Sequence, residues 1–118
     1  MLMPYRFITF KSDKAFNYLI ANGYVYTIRK RLAVGNKWLK RDWRGDPIGL
    51  VRVEPIGMVK AVGKGKYAVN VNDELIPLEQ FVKYSGFDSL EEWISFEKLH
   101  AGCIAGSVLY KVVLVKLL

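Results

Sequence analysis

Alternation of apolar and polar side chains is the dominant pattern along this chain, and it predicts a protein built mainly of β-strands. Segments with this period of two cover residues 5–10, 24–29, 48–53, 56–62, 66–71 and 108–117. The last segment carries apolar residues on both faces, which is typical of a central strand covered on both sides. Pro55 cannot donate a hydrogen bond to a strand ladder, so we expect an edge, a bulge or a bend there.

Helical periodicity appears in three shorter places. The first helix is predicted to begin after Ser12, a good N-cap residue, and to end at Gly23, which tolerates a left-handed backbone. A short second helix is predicted to follow Asn72 or Asp73 and to end at Gly86. Because strands outnumber helices, the predicted fold class is α+β, mainly β: a small β-barrel whose ends are covered by helices.

The third helix has the clearest start signal. Asp88 or Ser89 precedes it, and Ser89 with Glu92 matches a capping box. Its predicted core-facing residues are Leu90, Trp93, Ile94 and Leu99.

Residues 30–46 follow neither period, which predicts a long loop or a loose hairpin around Gly35 and Asn36. The basic segment, residues 29–44, contains these cations and indoles: Arg29, Lys30, Arg31, Lys37, Trp38, Lys40, Arg41, Trp43 and Arg44. Burying so many like charges would cost too much free energy, so we expect the segment to lie mostly in water. Cations beside flat rings suit a phosphate backbone with unstacked bases.

Composition and charge point to the class of partner. The chain has 118 residues, which predicts one domain, and a net charge of +7. That balance favours nucleic acid first, an anionic membrane second and an acidic protein third. No membrane association is expected, because the apolar C-terminal stretch is short and interrupted by Lys111 and Lys116. The single Cys103 allows no internal disulfide, and the N-terminal stretch does not read as a signal peptide, so we expect a cytoplasmic protein.

A set of short motifs then gives a resemblance. In chain order they are a helix ending at Gly23, the strand motif Thr27-Ile28-Arg29, the Gly35-Asn36 turn, Ile48-Gly49 opening a strand, SGFDSLEEW at 85–93 and LYKVVLVKL at 109–117. In this order and spacing the chain resembles the ASCH domain family of the PUA-like superfamily over nearly its whole length. The resemblance implies one domain over residues 1–118, with a five- or six-stranded β-barrel, flanking helices and a cleft beside the first helix.

The resemblance also implies a class of activity. Members of the family are thought to bind RNA, some resemble an acetylcytidine amidohydrolase, and ribonuclease activity is reported for others. Thr27 and Arg29 match the family pattern residue by residue. The lysine that members commonly carry after the helix-ending glycine has no counterpart at residues 24–26, and Ser85 stands where the amidohydrolase-like members have glutamate. The resemblance therefore implies a cleft that survives without that catalysis.

These observations predict a module that binds RNA, or single-stranded nucleic acid more generally. Thr27 and Arg29 would recognise a phosphate or a base edge at the cleft, unless Arg29 instead pairs with a carboxylate on a neighbouring strand. The candidate cleft-lining residues are Tyr24, Tyr26 and Ser85. The cations of the basic segment would hold phosphates, and Trp38 or Trp43 would stack on a base.

Two other functions stay open at this point. One is a nucleoside- or RNA-processing hydrolase of the ASCH type with an altered active site, and the other is a module that binds an acidic protein. No catalytic residue, cofactor or metal site is predicted. His100 has no second histidine or cysteine at ligand spacing, and Cys103 has no base nearby in the sequence.

Overall fold

The computed structural model describes residues 6–118, and within them the chain is mainly strand. Seven strands form one curled, open sheet: β1 (Phe7–Ile8), β2 (Tyr24–Arg29), β3 (Gly35–Lys40), β4 (Pro47–Gly63), β5 (Lys66–Val71), β6 (Glu74–Pro77) and β7 (Val108–Leu117). Two α-helices, α1 (Asp13–Asn22) and α2 (Leu90–Ala101), and a 3₁₀ helix (Leu78–Tyr84) accompany it. The predicted α+β class with mainly β content is confirmed, whereas the predicted five or six strands are seven in the described residues.

Two long strands, β4 and β7, hold the sheet together. β7 lies between β4 and β2 and is antiparallel to both, which confirms the prediction of a central last strand. The expected cover on both faces is wrong toward its end, where Val115 is 48% and Leu117 is 54% exposed. Val53 pairs with β3 and β7 at once, and Met58 pairs with β5 and β7 at once. Because a strand has only two edges, β3 and β5 must follow one another along the same edge of β4.

The bend that separates β3 from β5 lies at Pro55. The register between β4 and β7 shifts between Pro55 and Gly57, as a bulge requires, so the predicted irregularity is confirmed and one strand replaces the two predicted ones. The bend divides the core into two clusters. The first contains Leu19, Leu39 and Val112, and the second contains Leu78, Trp93 and Leu109.

The predicted bounds of α1 are confirmed. The Ser12 hydroxyl accepts a hydrogen bond from the backbone N–H of Ala15, and Gly23 ends the helix with φ +83°. Ser89 caps α2 in the same way by accepting from the N–H of Glu92. Within residues 6–118, no helix combines the length and the apolar character needed to cross a membrane.

Four predictions of local structure are wrong in whole or in part. Gly35 and Asn36 do not form a turn but begin β3, and the turn of the hairpin lies at residues 41–46 instead. The predicted second helix begins later than expected: Asn72 and Asp73 have positive φ and turn the chain into β6, and the helical part is the 3₁₀ helix Leu78–Tyr84. Leu99 does not face the core, because its side chain is 80% exposed. The predicted strand over 5–10 is only β1 in the described residues, and Tyr5 lies outside them.

Candidate functional site

A cavity of about 410 Å³ opens beside the start of α1, at the edge of β2. Its three walls are residues 9–12 with Ala15, residues 26–31 of β2 and its continuation, and one face of α2 together with Phe87. Neighbouring residues of a strand point to opposite faces, and four consecutive residues of β2, 26–29, line the cavity, so the edge of β2 faces it. This edge is open, since β2 pairs only with β7 among the described strands.

Arg29 is fixed in the wall of this cavity. Its Nη2 donates to the carbonyl oxygen of Thr9 at 2.8 Å, and its Nε donates to Oγ1 of Thr27 at 3.2 Å. The guanidinium also lies 5.1 Å from the centre of the Phe10 ring. The prediction that Thr27 and Arg29 share one face of β2 is therefore confirmed. Because these bonds use two of the five N–H donors of a guanidinium, Arg29 retains donors for a further acceptor.

Glu97 is the acidic residue of the cavity, and it is 7% exposed. Burial raises the pKa of Glu97 to about 7, while the charge of Arg29 and hydrogen bonding from the Trp93 side chain lower it by less. Burial likewise lowers the pKa of Arg29 from its ordinary value, and the Glu97 charge opposes this. The two residues influence each other across the cavity, but no direct ion pair joins them in the described part of the chain.

Aromatic rings supply most of the remaining wall: Phe10, Tyr26, Phe87, Trp93 and Phe96. The Phe87 and Phe96 rings are 5.2 Å apart, and the Phe96 and His100 rings are 4.3 Å apart. Such rings can stack on a planar ligand and exclude water from it. The cavity thus combines apolar surfaces with one cation and one carboxyl group.

Three further cations line the cavity where it meets solvent. Lys11 precedes α1, while Lys30 and Arg31 follow β2, and all three are exposed. Lys11 belongs to the wall of residues 9–12, and Lys30 and Arg31 belong to the wall of residues 26–31. A ligand that enters between them therefore meets a cationic mouth.

Part of the basic segment forms β3, which pairs with β4, and therefore does not belong to the predicted exposed loop. Lys37 lies on the inner face of β3 with Leu39 and is 5% exposed. Burial, and then the charge of Arg6, lower the pKa of Lys37. Because β3 lies between β1 and β4, alternate residues must face the core, and a lysine can bury its aliphatic stem there. The prediction that the segment lies mostly in water is wrong at the buried Lys37, and Arg29, Trp38 and Lys40 are half-buried.

The turn at residues 41–46 is exposed and packs beside α1. Arg41 forms an ion pair with Asp13, donates to the carbonyl oxygen of Phe10 at 3.4 Å and lies 4.6 Å from the Phe16 ring centre. Trp43 is 61% exposed, and the Arg44 guanidinium lies 4.7 Å from its ring centre.

The cations of the basic segment therefore occupy two neighbouring regions. Arg29, Lys30 and Arg31 line the cavity, whereas neither Trp38 nor Trp43 does. Lys40 lies 4.3 Å from the centre of the Phe7 ring, on β3. The exposed turn contacts the cavity wall through the hydrogen bond from Arg41 to the carbonyl oxygen of Phe10.

Of the three residues predicted to line the cleft, Tyr26 does so, and Tyr24 and Ser85 are not among the lining residues. Tyr24 instead joins a ring cluster, with its hydroxyl 3.3 Å from that of Tyr18. That hydrogen bond, with burial, raises the pKa of Tyr18 to about 12. The Ser85 hydroxyl is used locally: it donates to the Val82 carbonyl at 2.6 Å and accepts from the Phe87 N–H at 3.1 Å.

Comparisons of the chain with family models, with curated proteins and with solved structures find no match. The resemblance to the ASCH family therefore stays a prediction from the sequence, and the site has to be judged on its own geometry.

Sequence reasoning missed the contribution of α2. Trp93, Phe96, Glu97 and His100 all line the cavity, and their spacing places them on one face of a helix. The available signal was an acidic residue inside an apolar helical stripe, which is unusual because a buried carboxylate loses its hydration.

Proposed function

We propose that this protein binds RNA, or single-stranded nucleic acid more generally, with one unstacked base in the cavity and the backbone along its cationic mouth. The observation that carries the proposal is that residues 9–12, which line the cavity, lead directly into the start of α1 at Asp13. Arg29 contacts this segment from within the cavity, and Arg41 contacts it from the exposed turn of the hairpin. The cavity and the cationic turn therefore adjoin at residues 9–13, which supports a ligand that contacts both.

The cavity suits a nucleobase in size and chemistry. A volume of about 410 Å³ lies within the range of small-ligand sites. A base separated from its stack loses ring contacts, and aromatic side chains such as Phe10 and Phe96 would replace them. Polar groups at fixed positions, from Arg29 and from the open edge of β2, would then contact the base edge or its phosphate.

The cationic residues outside the cavity suit a phosphate backbone. Lys11, Lys30 and Arg31 are exposed at its mouth, and Arg44 is exposed beside the indole of Trp43. A second base of the same strand could stack on this indole. The PUA-like barrel, a cytoplasmic location and the single domain over residues 1–118 belong to the same proposal.

The test is fluorescence anisotropy with a labelled uridine-rich RNA and its DNA counterpart. Lys30→Ala/Arg31→Ala should weaken binding and make it less salt-dependent by about one unit of slope for each lost phosphate contact. Lys64→Ala/Lys66→Ala removes the same charge from the β4–β5 turn, outside the cavity, and serves as the matched control. Equal effects of the two pairs, or no binding of either polymer at low salt, would overturn the proposal.

The indole of the exposed turn gives an independent test. Trp43→Ala should lower affinity for the RNA by roughly 1–3 kcal/mol if a base stacks there. Trp43→Phe keeps a ring at the same position and should retain most of the binding. If both variants bind as the unchanged protein does, Trp43 takes no part in the interface.

Glu97 favours a hydrolase as the second candidate function. A carboxyl group with a pKa of about 7 can both accept and donate a proton near neutral pH, as general acid–base catalysis requires. It could take a proton from water while the water oxygen bonds to the acyl carbon of an acylated nucleoside. The C–N bond would then break, and the proton would pass to the leaving amine.

This candidate is decided by turnover. Acetylated cytidine and labelled RNA should be consumed by the unchanged protein and not by Glu97→Gln. Consumption no faster than in the buffer control would exclude the hydrolase function for these substrates.

A further inference from the structure

We infer that the carboxyl group of Glu97 reads the hydrogen-bonding edge of the base in the cavity and selects guanine when it is ionised. The inference rests on the proposed function, because it names the base that the cavity takes. It concerns a residue outside the basic segment, on α2, which faces Arg29 across the cavity.

The selection follows from the number of donors on each base. An ionised carboxylate offers two acceptor oxygens and no donor. Guanine carries two adjacent N–H donors, on N1 and N2, whereas the corresponding edges of adenine, cytosine and uracil place a donor beside an acceptor. Only guanine can therefore donate two parallel hydrogen bonds to Glu97 without placing an acceptor against an oxygen anion.

The position of Glu97 makes this discrimination effective. The side chain is 7% exposed, so a base that fails to donate leaves a desolvated carboxylate that the hydrogen bond from the Trp93 side chain compensates only in part. The rings of Phe87 and Phe96 lie on the same lining and restrict a planar ligand to few orientations. Arg29 stabilises the ionised form by its charge, and its own hydrogen bonds to Thr9 and Thr27 keep it in the wall.

The discrimination should depend on pH. A protonated carboxyl group offers one donor and one acceptor, which every base can match on some edge, so selectivity is lost when Glu97 gains a proton. The other titratable or charged residues that line the cavity are Lys11, Tyr26, Arg29, Lys30, Arg31 and His100. Of these, only the histidine belongs to a residue type whose charge ordinarily changes close to neutral pH. His100 therefore needs a control of its own.

Free nucleosides test the inference without the phosphate backbone. In NMR titrations at about pH 8, guanosine should bind roughly tenfold more tightly than adenosine, cytidine or uridine, since a bidentate pair discriminates by about this much. The preference should disappear toward about pH 5.5, where a carboxyl group with a raised pKa is protonated. Equal binding of the four nucleosides at the higher pH would overturn the inference.

Glu97→Gln isolates the carboxyl group. Glutamine presents one donor and one acceptor at every pH, so the variant should bind the four nucleosides alike at both pH values. Glu91→Gln, on the exposed side of α2 and outside the cavity, should keep the preference, and so should His100→Gln. A guanosine preference that persists in Glu97→Gln, or that loses its pH dependence only in His100→Gln, would overturn the inference.

Short RNAs separate this inference from the function on which it rests. The probes are uridine heptamers with one central base varied. If the heptamers bind but guanosine is not preferred, the inference fails and the proposed function stands. If guanosine is preferred but no heptamer binds, the guanine site stands and the nucleic-acid function fails. If neither nucleosides nor heptamers bind, both fail.

Discussion

At the scale of single residues, the surroundings of Glu97 matter most. Its carboxyl group has lost most of its water, and the charge of Arg29 compensates only in part, so the pKa rises to about 7. A buried acid of this kind costs stability when it is ionised. Glu97 supplies the carboxyl group of the cavity, and it therefore also lowers the stability of the fold when it is ionised.

That cost predicts how stability depends on pH. The folded-state pKa of Glu97 lies above the ordinary value of 4.5, so the folded protein holds the proton more tightly than the unfolded chain does. The stabilising contribution of Glu97 to the free energy of unfolding is fully present below about pH 4.5 and is lost as the pH rises toward 7. The total loss is about 3 kcal/mol. Urea unfolding of the unchanged protein and of Glu97→Gln at several pH values measures this difference.

Glu97→Gln should thus become more stable relative to the unchanged protein as the pH rises through this window. Glu91→Gln changes the same charge at an exposed position and should show no comparable trend. Parallel pH profiles of the unchanged protein and Glu97→Gln would mean that the carboxyl group is better hydrated than its burial indicates.

At the scale of elements, the start of α1 is held against the loop that follows the 3₁₀ helix. Gly86 has φ +87°, and a Cβ at this position would lie 2.5 Å from the carbonyl oxygen of Lys14. Only glycine allows the two backbones to approach this closely. Since Phe87 and Ala15 both line the cavity, this contact sets the distance between two of its walls.

Substitution of this glycine should test the contact. Gly65→Ala, at φ +68° with nothing within 4 Å of the new Cβ, should cost only the left-handed strain of about 1–2 kcal/mol. Gly86→Ala should cost a further 1–3 kcal/mol or so, because α1 must move as well. Thermal unfolding measures both. Equal losses of stability in the two variants would show that α1 can move away from the new Cβ without strain.

At the scale of the whole molecule, the two core clusters share their strands. β4 and β7 pair along most of their length and pass through both clusters, so neither cluster can open without breaking this ladder. The first helix, α1, also packs against the last strand, β7, although the two are far apart in the sequence. We therefore expect the sheet to unfold as one cooperative unit.

Leu19→Ala and Leu78→Ala probe this expectation in the first and second cluster, and both side chains are fully buried. Each should lower the free energy of unfolding by about 2–5 kcal/mol. Tryptophan fluorescence and far-UV circular dichroism should nevertheless follow a single coincident transition in each variant. Two separate transitions, one for each cluster, would contradict the cooperative description.

Several features of this protein were determined by the sequence alone. Ser12 and Gly23 bounded α1, Pro55 located the bulge of β4, and the apolar run at 108–117 identified the central strand. Thr27 and Arg29 were also placed correctly on one face of β2. Each of these depends on interactions within a few residues, such as a cap, a missing donor or the alternation of a strand.

Only the tertiary structure decided which residues meet. It brought Glu97 and Arg29 to the same cavity, turned Lys37 toward the core, and left Trp43 outside the cavity that Tyr26 lines. It also made a strand of Gly35–Lys40, because β1 and β4 supply the partners on its two edges. These outcomes depend on contacts between residues far apart in the chain. The local pattern of a sequence does not predict which distant element will cover a given face.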